Sequence, residues 1–245
     1  MFSFIYAEML KMKKSKVILG LAITSVILPA FWLVLSLFST TSPRSFEATT
    51  REIEDITFLI LETLVFILLS NYVFVKEYYY GTENIEYIYP VNRVIIYSSK
   101  LLTNYMIMSF IYIIYFIVVF LGLTFTIGIP DIKKMFFSHF KAYMISILLQ
   151  FYIVPIMVVI GNMLKRYVLS ICSATFIFLL SCLLFFANKY KYWPFIFQYI
   201  PIFNADNIGM KFNIVYLLVS SLIIFLVTFL LGAFQFSYMD EKHII

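Results

Sequence analysis

Few residues of this chain could carry out chemistry. The only histidines are His139, near the boundary of an apolar run, and His243, close to the last residue, and neither shares a plausible site with a cysteine. Neither HExxH nor GxSxG occurs, and none of the seven glycines belongs to a GxxxxGK[ST] phosphate-binding loop. The sequence therefore predicts no catalytic residue, no metal site and no cofactor bound by this chain, and indicates that the protein is not an enzyme.

The composition is that of an integral membrane protein. Of the 245 residues, 63% are hydrophobic and 13% are charged, whereas about 25% are charged in an average soluble domain. A net charge of +5 in such a chain is typical of lysines at the cytoplasmic rim and does not indicate nucleic-acid binding. Cys172 and Cys182 lie in one apolar run, about 15 Å apart on a helix, which is too far for a disulfide.

Six apolar runs predict six transmembrane helices, because about 20 apolar residues span a bilayer as a helix. The predicted fold is all-α, a single transmembrane domain over residues 1–245. Its first span is longer than the apolar region of a signal peptide and no A-x-A site follows it, so we predict that it is not cleaved. The spans lie at about residues 17–38, 56–75, 101–127, 140–163, 167–187 and 212–236.

Residues 2–16 predict a short amphipathic helix that lies in the membrane interface before the first span. Apolar residues recur there at helical spacing, and lysines cluster at its end. These lysines and the short basic turn Lys165-Arg166 favour the cytoplasmic side. Six spans place both termini on one side of the membrane, so both termini are predicted to be cytoplasmic.

The least apolar interval between two long hydrophobic runs is residues 76–100, KEYYYGTENIEYIYPVNRVIIYSSK. It contains three acids, three bases, a Gly-Thr break and a proline. Each charge would cost several kcal/mol in hydrocarbon. The interval is therefore predicted to lie in water against the membrane surface, between spans two and three.

This interval resembles the cytoplasmic loop after the second span in ABC-2-type transporter permeases. In that family an acidic residue, a Gly-Thr, a short helix and a Pro-x-x-Arg precede the third span, with a lysine a few residues on. The similar positions here are Glu77, Gly81-Thr82, Pro90, Arg93 and Lys100. The layout of the whole chain is similar as well, and its length and hydropathy most resemble the small permeases of lantibiotic-immunity and bacitracin-resistance exporters.

The resemblance implies that this loop contains a coupling helix that contacts a separate ATPase subunit. The residue types agree, because Thr82 can cap a helix whose first turns hold Glu83 and Glu86. Pro90 disfavours helix at the residue before it, so the helix is about two turns long. The alternative is an ordinary solvated loop with surface charges.

The coupling helix would present an apolar face beside its acids, suited to a groove on a soluble partner. Ile85, Ile88 and Tyr89 form this face. The residues assigned to coupling with the ATPase are Glu77, Gly81, Thr82, Glu83, Ile85, Glu86, Ile88, Tyr89, Pro90 and Arg93.

Acidic residues near the second span are candidates for the substrate path. Glu62 is the only acid inside a predicted span, and Glu54 and Asp55 could share one helical face with it. An intramembrane carboxylate normally faces protein or a water-filled cavity. This face could receive a cationic peptide, or Glu62 could simply pair with a lysine or a tyrosine hydroxyl near the interface.

An aromatic stretch at residues 188–211 is the second candidate for the substrate path or gate. It includes Trp193, Pro194 and Pro201. The prolines interrupt any full crossing, so we predict a re-entrant pair of half-helices that enters from the extracellular side between spans five and six. In the resembled family this region forms an extracellular gate. An interfacial loop packed on lipid is the alternative.

The predicted function is the permease subunit of an ATP-driven ABC exporter in the bacterial cytoplasmic membrane. The resemblance implies two ATPase subunits that hold ATP-Mg, and a second permease that is identical or related. The substrate would be an antimicrobial peptide such as a lantibiotic, moved out of the membrane for immunity or resistance. Two alternatives stay open: a non-transporting scaffold or assembly factor, and an ion-coupled carrier that uses Glu62.

Overall fold

The structure is a computed structural model of the chain. It describes residues 2–13, 15–38, 46–58, 64–80, 92–127, 132–164, 167–187, 189, 193–205 and 213–238. Glu62 and the predicted coupling residues from Gly81 to Pro90 lie outside the described residues.

The described part of the chain is helical and contains no strand. One-turn 3-10 helices at Gln150–Tyr152 and Pro194–Ile196 separate some of the α-helices. The α-helices are α1 Phe2–Lys13, α2 Lys16–Phe38, α3 Phe46–Phe58, α4 Phe66–Tyr80, α5 Arg93–Ile127, α6 Ile132–Leu149, α7 Ile153–Leu164, α8 Tyr167–Phe186, α9 Ile200–Phe203 and α10 Ile214–Tyr238.

Five described helical segments are long and apolar enough to cross a membrane. They correspond to the first, third, fourth, fifth and sixth predicted spans. The predicted second span, residues 56–75, takes in the end of α3 and the start of α4, and residues 59–63 between them are not described. The five segments are Lys16–Leu35, Arg93–Thr124, Phe136–Leu164, Val168–Phe186 and Ile214–Ser237.

Helices extend beyond the predicted span boundaries at two places. Ahead of the predicted second span, α3 begins at Phe46, and its buried Thr49, Thr50, Ile53 and Thr57 recur on one face that packs against the bundle. At the interval 76–100, α4 continues to Tyr80 and α5 begins at Arg93. The side-chain amide of Asn92 accepts a hydrogen bond from the backbone N–H of Val94 (3.0 Å) and so caps the start of α5.

The bundle has two ends, which we name by the helices that lie there. The α1 end holds α1, the end of α4, the start of α5 and the end of α10. The α3 end holds α3, the end of α5, the start of α6 and residues 193–205. Ring contacts show that α5 and α6 run antiparallel between these ends, since Tyr105 packs on Phe151 (4.5 Å) and Phe120 packs on Phe136 (5.6 Å).

The buried core lies between α4, α5, α6 and α7, whereas α2, α8 and α10 surround it. The outer helices expose large apolar side chains along most of their length. A soluble monomer rarely exposes so much apolar surface in one region. These faces therefore require lipid or another protein chain as their neighbour.

Candidate functional site

A buried acid forms the centre of a polar cluster at the α3 end. Glu54 on α3 is 2% exposed, and its Oε1 accepts a hydrogen bond from the Tyr143 hydroxyl (2.8 Å). The same oxygen lies 3.0 Å from Nδ1 of His139, which is completely buried. An ionised carboxylate only accepts hydrogen bonds, so Nδ1 would carry the proton in this contact. The cluster thus joins α3 to α6.

Helical spacing explains why α6 supplies both partners of Glu54. His139 and Tyr143 are four residues apart, so they lie one above the other on the face of α6 that meets α3. The ring of Phe120 on α5 packs edge-on against His139, with 5.7 Å between centroids. Phe120 therefore forms an aromatic wall on one side of the buried polar cluster.

A second contact joins α3 to residues 193–205, the continuous described part of the predicted gate at residues 188–211. We name residues 193–205 the gate segment. The Tyr199 hydroxyl donates a hydrogen bond to Asp55. Arg51 lies one turn before Asp55, with 3.8 Å between Nε and Oδ2, and its guanidinium stands 5.0 Å from the centroid of the Phe203 ring. That distance permits a cation–π interaction. Two charged residues of α3, Arg51 and Asp55, thus contact the gate segment.

The gate segment is a buried, hydrogen-bonded part of the bundle. Trp193 donates through Nε1 to the Ser181 hydroxyl (2.7 Å), and the Pro194 carbonyl accepts from the Tyr152 hydroxyl. Pro201 lies in the first turn of α9, where a proline is tolerated because its missing N–H has no partner there. Trp193, Pro194 and Pro201 thus lie in the segment whose Tyr199 contacts Asp55, so four of the five predicted path residues belong to two elements in contact. The fifth, Glu62, lies outside the described residues.

The predicted common face of Glu54 and Asp55 was wrong. Adjacent residues on a helix point about 100° apart. Glu54 accordingly turns toward α6, and Asp55 turns toward the gate segment. Sequence reasoning also missed His139 and Tyr143 as partners. The available signal was a histidine at the polar start of an apolar run, four residues before a tyrosine.

The α1 end holds the base of the predicted coupling loop. Arg93 is half-buried at the start of α5, and Glu77 lies in the last turn of α4. Lys100 is 1% exposed, and its Nζ stands 6.0 Å from the centroid of the Phe236 ring. Ser15 donates to the Tyr72 hydroxyl (2.9 Å) and so ties the junction of α1 and α2 to α4. The loop therefore starts and ends on helices that are anchored in the core.

Replacing Tyr199 with phenylalanine should lower the free energy of unfolding by about 1 kcal/mol, the net value of one hydrogen bond. The effect should be small because the side chain of Asp55 is 30% exposed, so water can replace the lost hydroxyl. Thermal unfolding in detergent measures it. The matched control is Tyr216→Phe on exposed α10, which should leave the midpoint unchanged. A loss above about 3 kcal/mol would contradict this account of the contact.

Among the described residues, no group of three or more His, Cys, Asp or Glu side chains is placed to hold a metal ion. Glu54 and His139 contact each other, whereas Asp55 accepts a hydrogen bond from Tyr199, so the three side chains do not converge on one point. These polar contacts hold α3 against α6 and against the gate segment.

A comparison with known protein families identifies the family of the chain. The family model described as ABC-2 family transporter protein matches residues 4–181 of the 245. The match takes in most of α1, all of α3, residues 81–91 and the Glu54 cluster, and it ends before the gate segment. No curated protein matches the chain. Members of this family are membrane subunits of transporters and are not themselves catalytic. The chain therefore belongs to the ABC-2 transporter family, as a multi-pass membrane permease subunit whose partner is an ABC ATPase.

Proposed function

We propose that the chain is the permease of an ABC exporter that removes an antimicrobial peptide, such as a lantibiotic, from a bacterial cytoplasmic membrane. Two ATPase subunits would hold ATP-Mg, and a second permease, identical or related, would complete the pathway. The outcome would be immunity or resistance to the peptide. ATP binding and closure of the ATPases would drive each cycle.

The observation that supports this proposal most strongly is the length of α5. Its 35 residues make it about 52 Å long at about 1.5 Å per residue, which exceeds the roughly 30 Å hydrocarbon core. It begins at Arg93, at the base of the coupling loop, and near its other end the Tyr115 hydroxyl and the Phe120 ring touch Thr57 and His139. A push on the loop would therefore reach the α3 end through one helix.

The proposed topology has six spans with both termini in the cytoplasm. The second span would run from α3 into α4, with the coupling helix following it on the cytoplasmic side at the α1 end. The α3 end would then be extracellular, and residues 193–205 would be a re-entrant segment. Its burial and its short helices, interrupted at Pro194 and Pro201, support this assignment.

The α3 end is proposed as the extracellular gate. Opening it would require residues 193–205 to move away from α3, so the contacts of Asp55 and Arg51 would break and re-form in each cycle. Both side chains are about a third exposed, and water could therefore solvate them in the open state. The acids of α3 outnumber its one base, which favours a cationic peptide as the substrate.

The coupling loop offers the direct test of this function. Ile85→Asp and Ile88→Asp place a charge on the predicted apolar face of the coupling helix. Each should abolish co-purification with the ATPase subunit and reduce peptide-stimulated ATP hydrolysis to background, because a buried unpaired charge at the contact is strongly unfavourable.

The matched control is Tyr87→Asp, which adds the same charge to the opposite face of the predicted helix. It should keep both the ATPase partner and the activity. Equal loss in all three variants would overturn the assigned face. Peptide movement by the purified chain without any ATPase would overturn the exporter and favour a carrier.

A further inference from the structure

A deep apolar groove lies at the α1 end, outside the gate and the coupling loop. It has a volume of about 780 Å³ and runs between α1, the first turns of α2 and the middle of α5. Met9 and Leu10 form one wall, Leu19 and Ala22 the second, and Met106 and Phe110 the third. This volume lies in the range of about 300–1,000 Å³ that is usual for sites of small organic ligands.

The groove stays open beside Ala22, because this side chain of α2 is too small to fill it. Gly20, two residues earlier, does not line the groove, and a Cβ placed on it would meet no atom within 4 Å. The groove side of α5 is correspondingly uncovered, since Phe110 is 64% exposed. A contiguous exposed apolar surface of this kind marks a site of contact with lipid or with another protein.

One end of the groove is basic. Lys13, at the end of α1, lines it together with Ser15, and no acid is among the described residues that line it. The neighbouring Lys11 is already paired with Glu8 (2.7 Å). In the described chain neither Lys13 nor Lys16, at the start of α2, has an acidic partner within an ion-pair distance. An apolar channel with a cationic mouth matches a molecule with an apolar chain and an anionic head.

We propose that this groove binds an anionic phospholipid, with one acyl chain along Ala22 and Phe110 and the phosphate against Lys13. A lysine near a membrane surface attracts anionic lipid, and α1 has the basic, apolar character of an interfacial helix. The proposal depends on membrane location alone and not on the proposed substrate.

Native mass spectrometry of the full-length purified chain tests the site. The chain is titrated with phosphatidylglycerol or with phosphatidylcholine that carries the same acyl chains. We expect a one-lipid complex that favours phosphatidylglycerol. Lys13→Gln should reduce that preference about fivefold, the contribution of one lysine at an anionic surface. Lys141→Gln, at an exposed lysine outside the groove, should leave the preference unchanged.

Variants that fill the groove test the acyl-chain site independently of the head-group site. Ala22→Phe should remove most of the bound lipid of both kinds, whereas Gly20→Phe adds the same ring to open surface and should keep it. Ala22→Leu replaces Ala22→Phe if the latter does not fold. Equal binding of both lipids by the original chain, or full binding by the filled variant, would overturn the proposal.

A disulfide between two copies through Leu10→Cys, with Cys172 and Cys182 replaced, would show that a second chain occupies the groove and would also overturn it. Because the measurement uses the permease alone, its failure would leave the coupling experiment intact, and failure of that experiment would leave the lipid site intact.

Discussion

Replacing Glu54 with alanine should lower the free energy of unfolding by about 3–5 kcal/mol, the usual cost of removing one partner from a buried polar or charged pair. The carboxylate satisfies the Tyr143 hydroxyl and His139 Nδ1 at once. Both partners would stay buried and would lose this acceptor, and losing a hydrogen bond in a buried position carries a desolvation penalty. The midpoint of thermal unfolding in detergent should fall accordingly, with loss of the monodisperse peak on size exclusion as a second readout.

Two controls distinguish this cluster from the general effect of a charge change on α3. Glu52→Ala removes a carboxylate from the same helix at an exposed position, and most exposed substitutions change stability by less than about 0.5 kcal/mol. His139→Ala should cost less after Glu54→Ala than in the original chain, because the two residues share one contact. If the two losses simply add, or if Glu52→Ala costs as much as Glu54→Ala, the cluster does not hold α3 in the way described.

The sequence could predict the elements that hydrophobic run length controls. Five of the six predicted spans correspond to described helices, because about 20 apolar residues in a row leave a membrane protein little choice but a helix. The N-terminal helix was also predicted from its apolar spacing, and α1 occupies Phe2–Lys13. The family was predicted from the loop motif and is confirmed by the match over residues 4–181.

The partners of the polar residues could not be predicted in the same way. Glu54 and His139 are 85 positions apart, and nothing in either local sequence indicates the other. Their contact exists only once α3 packs beside α6. The same holds for Asp55 and Tyr199, whose hydrogen bond joins two segments that the sequence analysis treated separately.

The predicted environment of Lys100, at the edge of the coupling loop, was wrong because it rested on charge alone. Lys100 was grouped with the charges expected in water, yet α5 carries it into the bundle, where it is nearly completely buried beside Phe236. A lysine stem is apolar and can lie along aromatic surface while its amine finds polar or π contacts. Lys100 is buried because it belongs to α5, whose N-cap residue Asn92 lies eight residues before it.

Adding one methyl group at Gly232 on α10 should destabilise the chain by about 1–3 kcal/mol, the typical cost of overpacking a core. A Cβ at this position would overlap the hydroxyl end of Tyr97, which is completely buried and cannot withdraw. The Tyr97 ring is held at 5.2 Å from Phe236 and 5.4 Å from Phe229, centroid to centroid. The strain would therefore separate α10 from α5, and the unfolding midpoint of Gly232→Ala should fall.

The matched control for Gly232→Ala is Gly20→Ala, where the new methyl meets nothing within 4 Å. Both changes gain the same helix propensity, up to about 1 kcal/mol, so the unfolding midpoint of Gly20→Ala should match or exceed that of the original chain. The difference in midpoint between the two variants then measures the cost of the overlap with Tyr97. Tyr97→Phe should recover part of the loss in Gly232→Ala, because it deletes the nearest atom. That hydroxyl has no hydrogen-bond partner in the described chain, so deleting it alone should cost little. Equal midpoints for the two alanine variants would mean that α10 does not pack closely on Tyr97.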